Sequence, residues 1–134
     1  MVEKFTIKTR GQGLYEITDS VLSVVHRAKL SEGLCTVFIR HTSASLTIQE
    51  NADPSAKVDL EAWLNRLVPE RDSLYTHTAE GPDDMPSHIK AILTDVSLSI
   101  PIFEGTLTLG TWQGVYLWEH RKAPHTREIV VHLG

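Results

Sequence analysis

Val96-Ser97-Leu98-Ser99-Ile100-Pro101-Ile102 places Val96, Leu98, Ile100 and Ile102 at strict alternation. That period of two predicts a strand with one buried face. Glu104-Gly105 turns it into Thr106-Leu107-Thr108-Leu109, and Gly114 to Glu119 and Glu128 to Leu133 supply two more strands. Strand follows strand here through short turns, which predicts antiparallel pairing.

Working outward to the N-terminal half, Lys4-Phe5-Thr6-Ile7-Lys8 and Ser45-Leu46-Thr47-Ile48-Gln49 alternate in the same way. Leu14-Tyr15-Glu16-Ile17-Thr18 and the apolar run from Leu34 to Arg40 read as further strands. Helices enter singly. The first carries Val21, Val24, Val25 and Ala28 at helical spacing, with Asp19 or Ser20 as its cap. The second begins at Asp53-Pro54, an acidic cap followed by proline at the first helical position; Val58, Ala62, Trp63 and Leu67 are its expected buried stripe, and Pro69 stops it. The third starts at Asp84-Met85-Pro86 and reaches about Leu93. Strands in series with isolated helices predict an α+β fold, a mainly antiparallel two-layer β-sandwich with about three flanking helices.

The chain has 134 residues and a net charge of −4. That length predicts one domain spanning 1–134. Charged residues at 22% and hydrophobic ones at 41% argue for a packed globular chain and against disorder. The mild acidic excess argues against nonspecific nucleic-acid binding. Neither a signal peptide nor a membrane span is expected, and the cytoplasm is the expected compartment by default. Cys35 is alone, so no intrachain disulfide can form, and its apolar setting predicts a buried small hydrophobe. Dinucleotide, P-loop and metalloprotease signatures are absent. Seven histidines against one cysteine are the compositional oddity.

Three segments carry candidate chemistry. His41-Thr42-Ser43, with Glu50, Asn51 and Asp53 downstream, sets an imidazole and hydroxyls between two strands. Thr42 and Ser43 can donate to phosphate oxygens, Glu50 can move a proton and Asn51 can orient a substrate. The plainer reading is that the hydroxyls face water and Asp53 only caps a helix. The stretch from His77 to His88 holds two imidazoles and three carboxylates in twelve residues, within a long polar connection. Imidazole and carboxylate are ligands for zinc or manganese, and Asp84 and His88 fall one helical turn apart. Adjacent Asp83 and Asp84 also suit Mg²⁺ bridging to a pyrophosphate. Alternatively the segment is an acidic loop whose Asp84 caps the helix and complements its dipole. In the third segment, Gly110-Thr111-Trp112-Gln113-Gly114, Trp112 either fills the core or stacks on a planar ring that Gln113 reads. Arg121-Lys122, between His120 and His125, forms a basic patch able to hold a phosphate.

Taken together, these blocks resemble the YjbQ family almost end to end. They are His41-Thr42-Ser43-Ala44-Ser45-Leu46 with Glu50-Asn51 and Asp53-Pro54, then His77, Glu80-Gly81, Asp83 to Pro86 and His88-Ile89-Lys90, then Gly110 to Gln113 and Glu119-His120-Arg121. The resemblance implies an α+β sandwich, a homotrimer, and a polar crevice near a subunit boundary that carries the histidine and acidic segments. It also implies thiamine phosphate synthase-like activity, which joins a pyrimidine pyrophosphate to a thiazole phosphate. On that reading His41, His77, His88 and Asp83 hold a divalent ion (Mg²⁺ or Zn²⁺), and Glu50 and Asp84 are catalytic. Thr42, Ser43, Asn51, Trp112 and Gln113 then bind the small phosphorylated substrate. The alternative is a metal- or phosphometabolite-binding protein with a different physiological reaction. Pro124-His125-Thr126 departs from the family pattern, so no role passes to His125.

Overall fold

The alternating stretch folds as expected except at Val96, which precedes the strand and is exposed. In the computed structural model, which describes all 134 residues, Leu98, Ile100 and Ile102 point inward from a strand at Ser97–Phe103, while Ser97, Ser99 and Pro101 face out. In chain order the elements are β1 (Val2–Thr9), β2 (Gly13–Glu16), α1 (Thr18–Ala28), β3 (Glu32–Ile39), β4 (Ala44–Glu50) and α2 (Pro54–Leu67). There follow α3 (Asp84–Leu93), β5 (Ser97–Phe103), β6 (Thr106–Leu107), β7 (Gln113–Glu119) and β8 (His125–Leu133). The turn from β5 to β6 places Glu104 at φ +51° and Gly105 at φ +79°. Two positive-φ residues in succession match the right-handed twist of a tight hairpin.

Two antiparallel sheets form, one of five strands ordered β1-β8-β3-β5-β6 and one of three ordered β2-β7-β4. Cys35, Val37 and Ile39 of β3 and Ile129, Val131 and Leu133 of β8 pack against Leu46 of β4 and Val115 and Leu117 of β7. Helix α1 adds Val21, Val24 and Val25 to this core. Behind the three-stranded sheet, Tyr116 and Trp118 meet Leu64 and Leu60 of α2 and Ile89 of α3. The buried stripe of α2 is therefore not the expected one: Val58, Ala62, Trp63 and Leu67 are exposed, because the helix turns Leu60, Leu64 and the following Val68 to the sheet. The architecture is therefore the α+β sandwich read from the sequence, with α2 and α3 covering the back of the smaller sheet. No helix is long and apolar enough to cross a membrane.

Helix starts differ in how they are built. Asp53 caps α2 as expected, its Oδ1 accepting from the Ser55 amide at 2.9 Å. At α1 the cap position is Ile17, and no side chain caps it. Asp19 lies in the first turn instead, where its charge still favours the dipole. The third start is the informative one. Asp83 occupies the cap position without a side-chain cap bond, and Asp84 is 1% exposed in the first turn. Burial of a carboxylate at a helix start calls for partners other than the helix.

Candidate metal centre

Three side chains converge at the start of α3. His77 Nε2 lies 2.8 Å from Asp84 Oδ2, and His88 Nε2 lies 3.5 Å from Asp84 Oδ1. The ligand atoms of His77, Asp84 and His88 all lie within 4.8 Å of one another. Asp84 and His88 share a helix face because they are four residues apart. His77 arrives from the connection between α2 and α3. That connection is shaped by the Tyr75 hydroxyl donating to the Pro69 carbonyl and the Leu74 amide donating to Asp72. Gly81 completes the approach at φ +106°, where a Cβ would sit 3.3 Å from Asp83 Oδ1.

The surroundings fix the orientation of each group. His88 Nδ1 lies 2.9 Å from the Thr42 carbonyl, which can only accept. Nδ1 thus carries a proton, and Nε2 is turned toward Asp84 and His77. Such a carbonyl partner is the usual support of a metal-ligating imidazole. Asp84 Oδ1 accepts from Arg121 Nη1 at 2.9 Å. Its Oδ2 is buried and accepts no hydrogen bond. His77 is close enough to donate to it but is not aligned to do so. A buried carboxylate with one oxygen lacking a donor, and with an imidazole nitrogen near each oxygen, is a donor set that could hold a cation. Beside it opens a cavity of about 370 Å³, lined by Arg71, Tyr75, His77, Thr78, Pro82 and Met85 among others.

A family model described as UPF0047 protein YjbQ-like matches residues 3–134. The chain belongs to the YjbQ family. A YjbQ-family relative from Synechocystis sp., UPF0047 protein sll1880, is 53% identical over 98% of this chain and 89% of its own length. The protein YjbQ of Escherichia coli O157:H7 is 40% identical over 96% of this chain and 93% of its own. Among solved structures, an uncharacterized conserved YjbQ/UPF0047-family protein from Clostridium acetobutylicum superposes with a TM-score of 0.91. It is 36% identical, and the match covers 98% of this chain and 99% of that one. A conserved hypothetical protein from Thermus thermophilus gives 0.88 at 34% identity, covering 98% and 99% of the two chains.

The other candidate residues separate into groups. Asp83 turns to Arg121, whose Nε donates to its Oδ2 at 3.0 Å, and to the Lys122 amide at 2.9 Å. Burial would raise the Asp83 carboxyl, but the Lys122 amide and the Arg121 guanidinium outweigh it and hold it low. The Arg121-Lys122 patch is therefore spent on internal carboxylates, with Lys122 Nζ also on Glu70 at 2.5 Å. His41 Nε2 accepts from the Glu128 amide at 2.8 Å, outside the three-residue cluster. Thr42 joins the cluster through its carbonyl, and Ser43 accepts from Arg127 through its hydroxyl and its carbonyl. Glu50 and Asn51 lie at the far end of β4, about 20 Å along the strand from Ala44 at some 3.3 Å per residue. Gln113 pairs with Glu50 there, and Trp112 is 64% exposed beside them. Trp112 is thus neither core nor, within one chain, a neighbour of the histidines.

Two groups within the quoted blocks and the last strand have roles that the sequence does not assign. Glu119 of β7 and Arg127 of β8 form a buried pair between the sheets, with Arg127 Nε 2.8 Å from Glu119 Oε1. Burial would raise the Glu119 carboxyl, but Arg127, the Thr9 hydroxyl and the Arg121 amide keep it below the usual range. His120, on the opposite side of β7, is 1% exposed, and its Nε2 lies 2.8 Å from Ser45 Oγ. Burial, then Lys90 and Arg127, push this imidazole down to about 3.

His120 sets an acid limit on stability. Its ordinary value is 6.5, so above that pH neither folded nor unfolded chain protonates it. As pH falls below 6.5 the unfolded chain takes a proton that the native site refuses, and stability is lost down to about 3. The expected loss is about 1.4 kcal/mol per pH unit, or roughly 2.5 kcal/mol by two units below the ordinary value. His41 is lowered for the same reason and adds in the same direction. Urea titrations at stepped pH check this, and His120→Leu should flatten the slope. An equal slope in that variant would remove His120 as the cause.

Proposed function

We propose that this YjbQ-family protein is a divalent-metal-dependent enzyme for a small phosphorylated substrate. Thiamine phosphate synthase-like transfer is the specific reaction to test. The observation that carries the reading is the buried Asp84 carboxylate, whose Oδ2 accepts no hydrogen bond and which has His77 on one oxygen and His88 on the other. Two imidazole nitrogens and one carboxylate oxygen suit zinc better than magnesium, which prefers an all-oxygen shell. A bound ion would supply charge neutralisation for a phosphate or pyrophosphate oxygen. The chain's own groups do the rest. The Thr42 carbonyl holds the His88 ring in one tautomer. Arg121 fixes Asp84 by its other oxygen and leaves Oδ2 free. Arg71 lines the adjoining cavity and is the group there that can bind and orient an anion.

Arg71 stands at φ +57°, a conformation that costs a non-glycine residue about 1 kcal/mol or more. Arg71→Gly should therefore leave stability unchanged or raised, yet weaken substrate binding about tenfold by removing a charge-assisted contact.

A second reading is a metal- or phosphometabolite-binding protein with a different reaction. The distance between Trp112 and the histidine cluster within one chain favours it, since the ring-stacking and metal sites do not adjoin. The proposal also includes the family's homotrimer, which the exposed Leu34, Phe38 and Phe103 on the outer face of the five-stranded sheet would support. The test is stripping with chelator, reloading with Zn²⁺ or Mg²⁺, elemental analysis, and assay with the pyrimidine pyrophosphate and thiazole phosphate pair. Sedimentation of the same preparation should give a trimer mass. One Zn²⁺ per chain with product supports the first reading. Bound Zn²⁺ without product moves the assignment to the second; no bound ion overturns the first, and no bound ion together with no melting shift from a phosphorylated compound overturns both.

A further inference from the structure

Lys90 lies on α3 two residues past His88, which turns it roughly to the opposite side of the helix from the metal cluster. It is 4% exposed, and no carboxylate is in ion-pair contact with it. One of its three N–H donors reaches Asn65 Oδ1 at 2.5 Å. A buried ammonium with a single neutral partner is costly unless something else receives its remaining donors. Lys90 lines a cavity of about 140 Å³ with Gln12, Glu61, Asn65, Trp118 and His120 among its walls. That is space for about five waters, or for one small ring.

The walls define what fits. Glu119 also borders the cavity, but its charge is already matched by Arg127. Glu61 spends Oε1 on the Leu14 amide at 2.8 Å and keeps Oε2 free. The lining therefore combines a cationic donor, Lys90, with an anionic acceptor, Glu61, and includes the indole of Trp118. A plain anion meets Glu61, and a plain cation meets Lys90.

We infer that this cavity is a binding site for a small planar dipolar molecule, separate from the metal cluster. Such a ligand presents a carbonyl or anionic oxygen to Lys90 and an N–H to Glu61, with its face on Trp118.

The test uses three one-ring probes on the full chain, stripped of metal: cytosine (oxygen and amino group), benzoate (oxygen only) and benzamidine (N–H only). Binding is read by ligand-observed NMR and calorimetry. Cytosine is expected to bind at least about tenfold tighter than either other probe, and Lys90→Met and Glu61→Gln should each weaken it about tenfold. His88→Ala should leave cytosine binding unchanged. Lys90→Met removes a buried charge and should melt at or above the wild-type temperature, so loss of binding in it is not loss of fold. The inference is overturned if no probe binds, if benzoate binds as well as cytosine, or if Lys90→Met binds cytosine normally.

Discussion

Asp84→Asn is expected to lower the affinity for Zn²⁺ or Co²⁺ at least about 100-fold, beyond the effect typical of losing a supporting group around a metal ligand. The substitution is chosen for what it retains. An amide oxygen still accepts from Arg121 Nη1 at the Oδ1 position. The Oδ2 position becomes an NH₂ group beside His77 Nε2, which lies 2.8 Å from it. N–H donors then stand where a cation would need an oxygen ligand, and the cluster loses its charged ligand as well. Titration with Co²⁺ followed by visible absorption, with zinc competition, measures the change. Melting should stay close to wild type without metal, and only the wild-type chain should gain stability when metal is added. Equal Co²⁺ affinity in the variant would show that the ion does not sit on Asp84.

The second large effect lies between the sheets. Arg127→Met should cost about 3–5 kcal/mol, because it strands the Glu119 carboxylate in a buried position. Thr9 and the Arg121 amide still donate to Glu119, which sets the lower end of that range. The double substitution Glu119→Leu with Arg127→Met should recover most of the loss, since a packed apolar pair needs no countercharge. A pH signature separates this from a simple packing defect. Without Arg127, burial lifts the Glu119 carboxyl above its ordinary value. A raised folded value means stability is present at low pH and is lost as pH rises through it. The single variant should therefore lie closest to wild type near pH 4–5 and furthest from it at neutral pH. Denaturation in urea at both pH values decides the matter. A deficit independent of pH, or no recovery in the double variant, would place the cost elsewhere.

The same pair shows where reading the sequence stops. The alternation of β5 and the Asp53-Pro54 start of α2 are local signals, and both appear in the structure where the residues place them. Asp84 and His88 were legible as a ligand pair because helical spacing alone puts them on one face. His77 was legible only as a ligand type, since its approach depends on the path of a fifteen-residue polar connection (69–83) with its left-handed Gly81. Glu119 carried an unread signal. Val115, Leu117 and Glu119 share one face of β7, so the period of two that marks the first two as core also sends the third inward. Its partner, Arg127, sits eight residues on in the next strand, a match that only the register between sheets decides. Arg121 was read as an outward-facing anion site because a basic dipeptide looks alike whether it faces solvent or two carboxylates. Glu50 and Trp112 were grouped with the histidines by order in the family blocks, and strand length sets them apart.

The order of the five-stranded sheet has a consequence for how the chain comes to exist. β8 lies between β1 and β3, so the first strand made has no partner until the last one is made. The amino group of Met1 even reaches the Leu133 carbonyl at 3.0 Å. While the polypeptide is still emerging from the ribosome, β1 and β3 hold open edges that nothing yet synthesised can close. The smaller sheet and its helices can gather earlier, but the larger sheet closes only after the final strand leaves the exit tunnel. Until then the lysines of β1, Lys4 and Lys8, charge that edge and oppose its pairing with a neighbour.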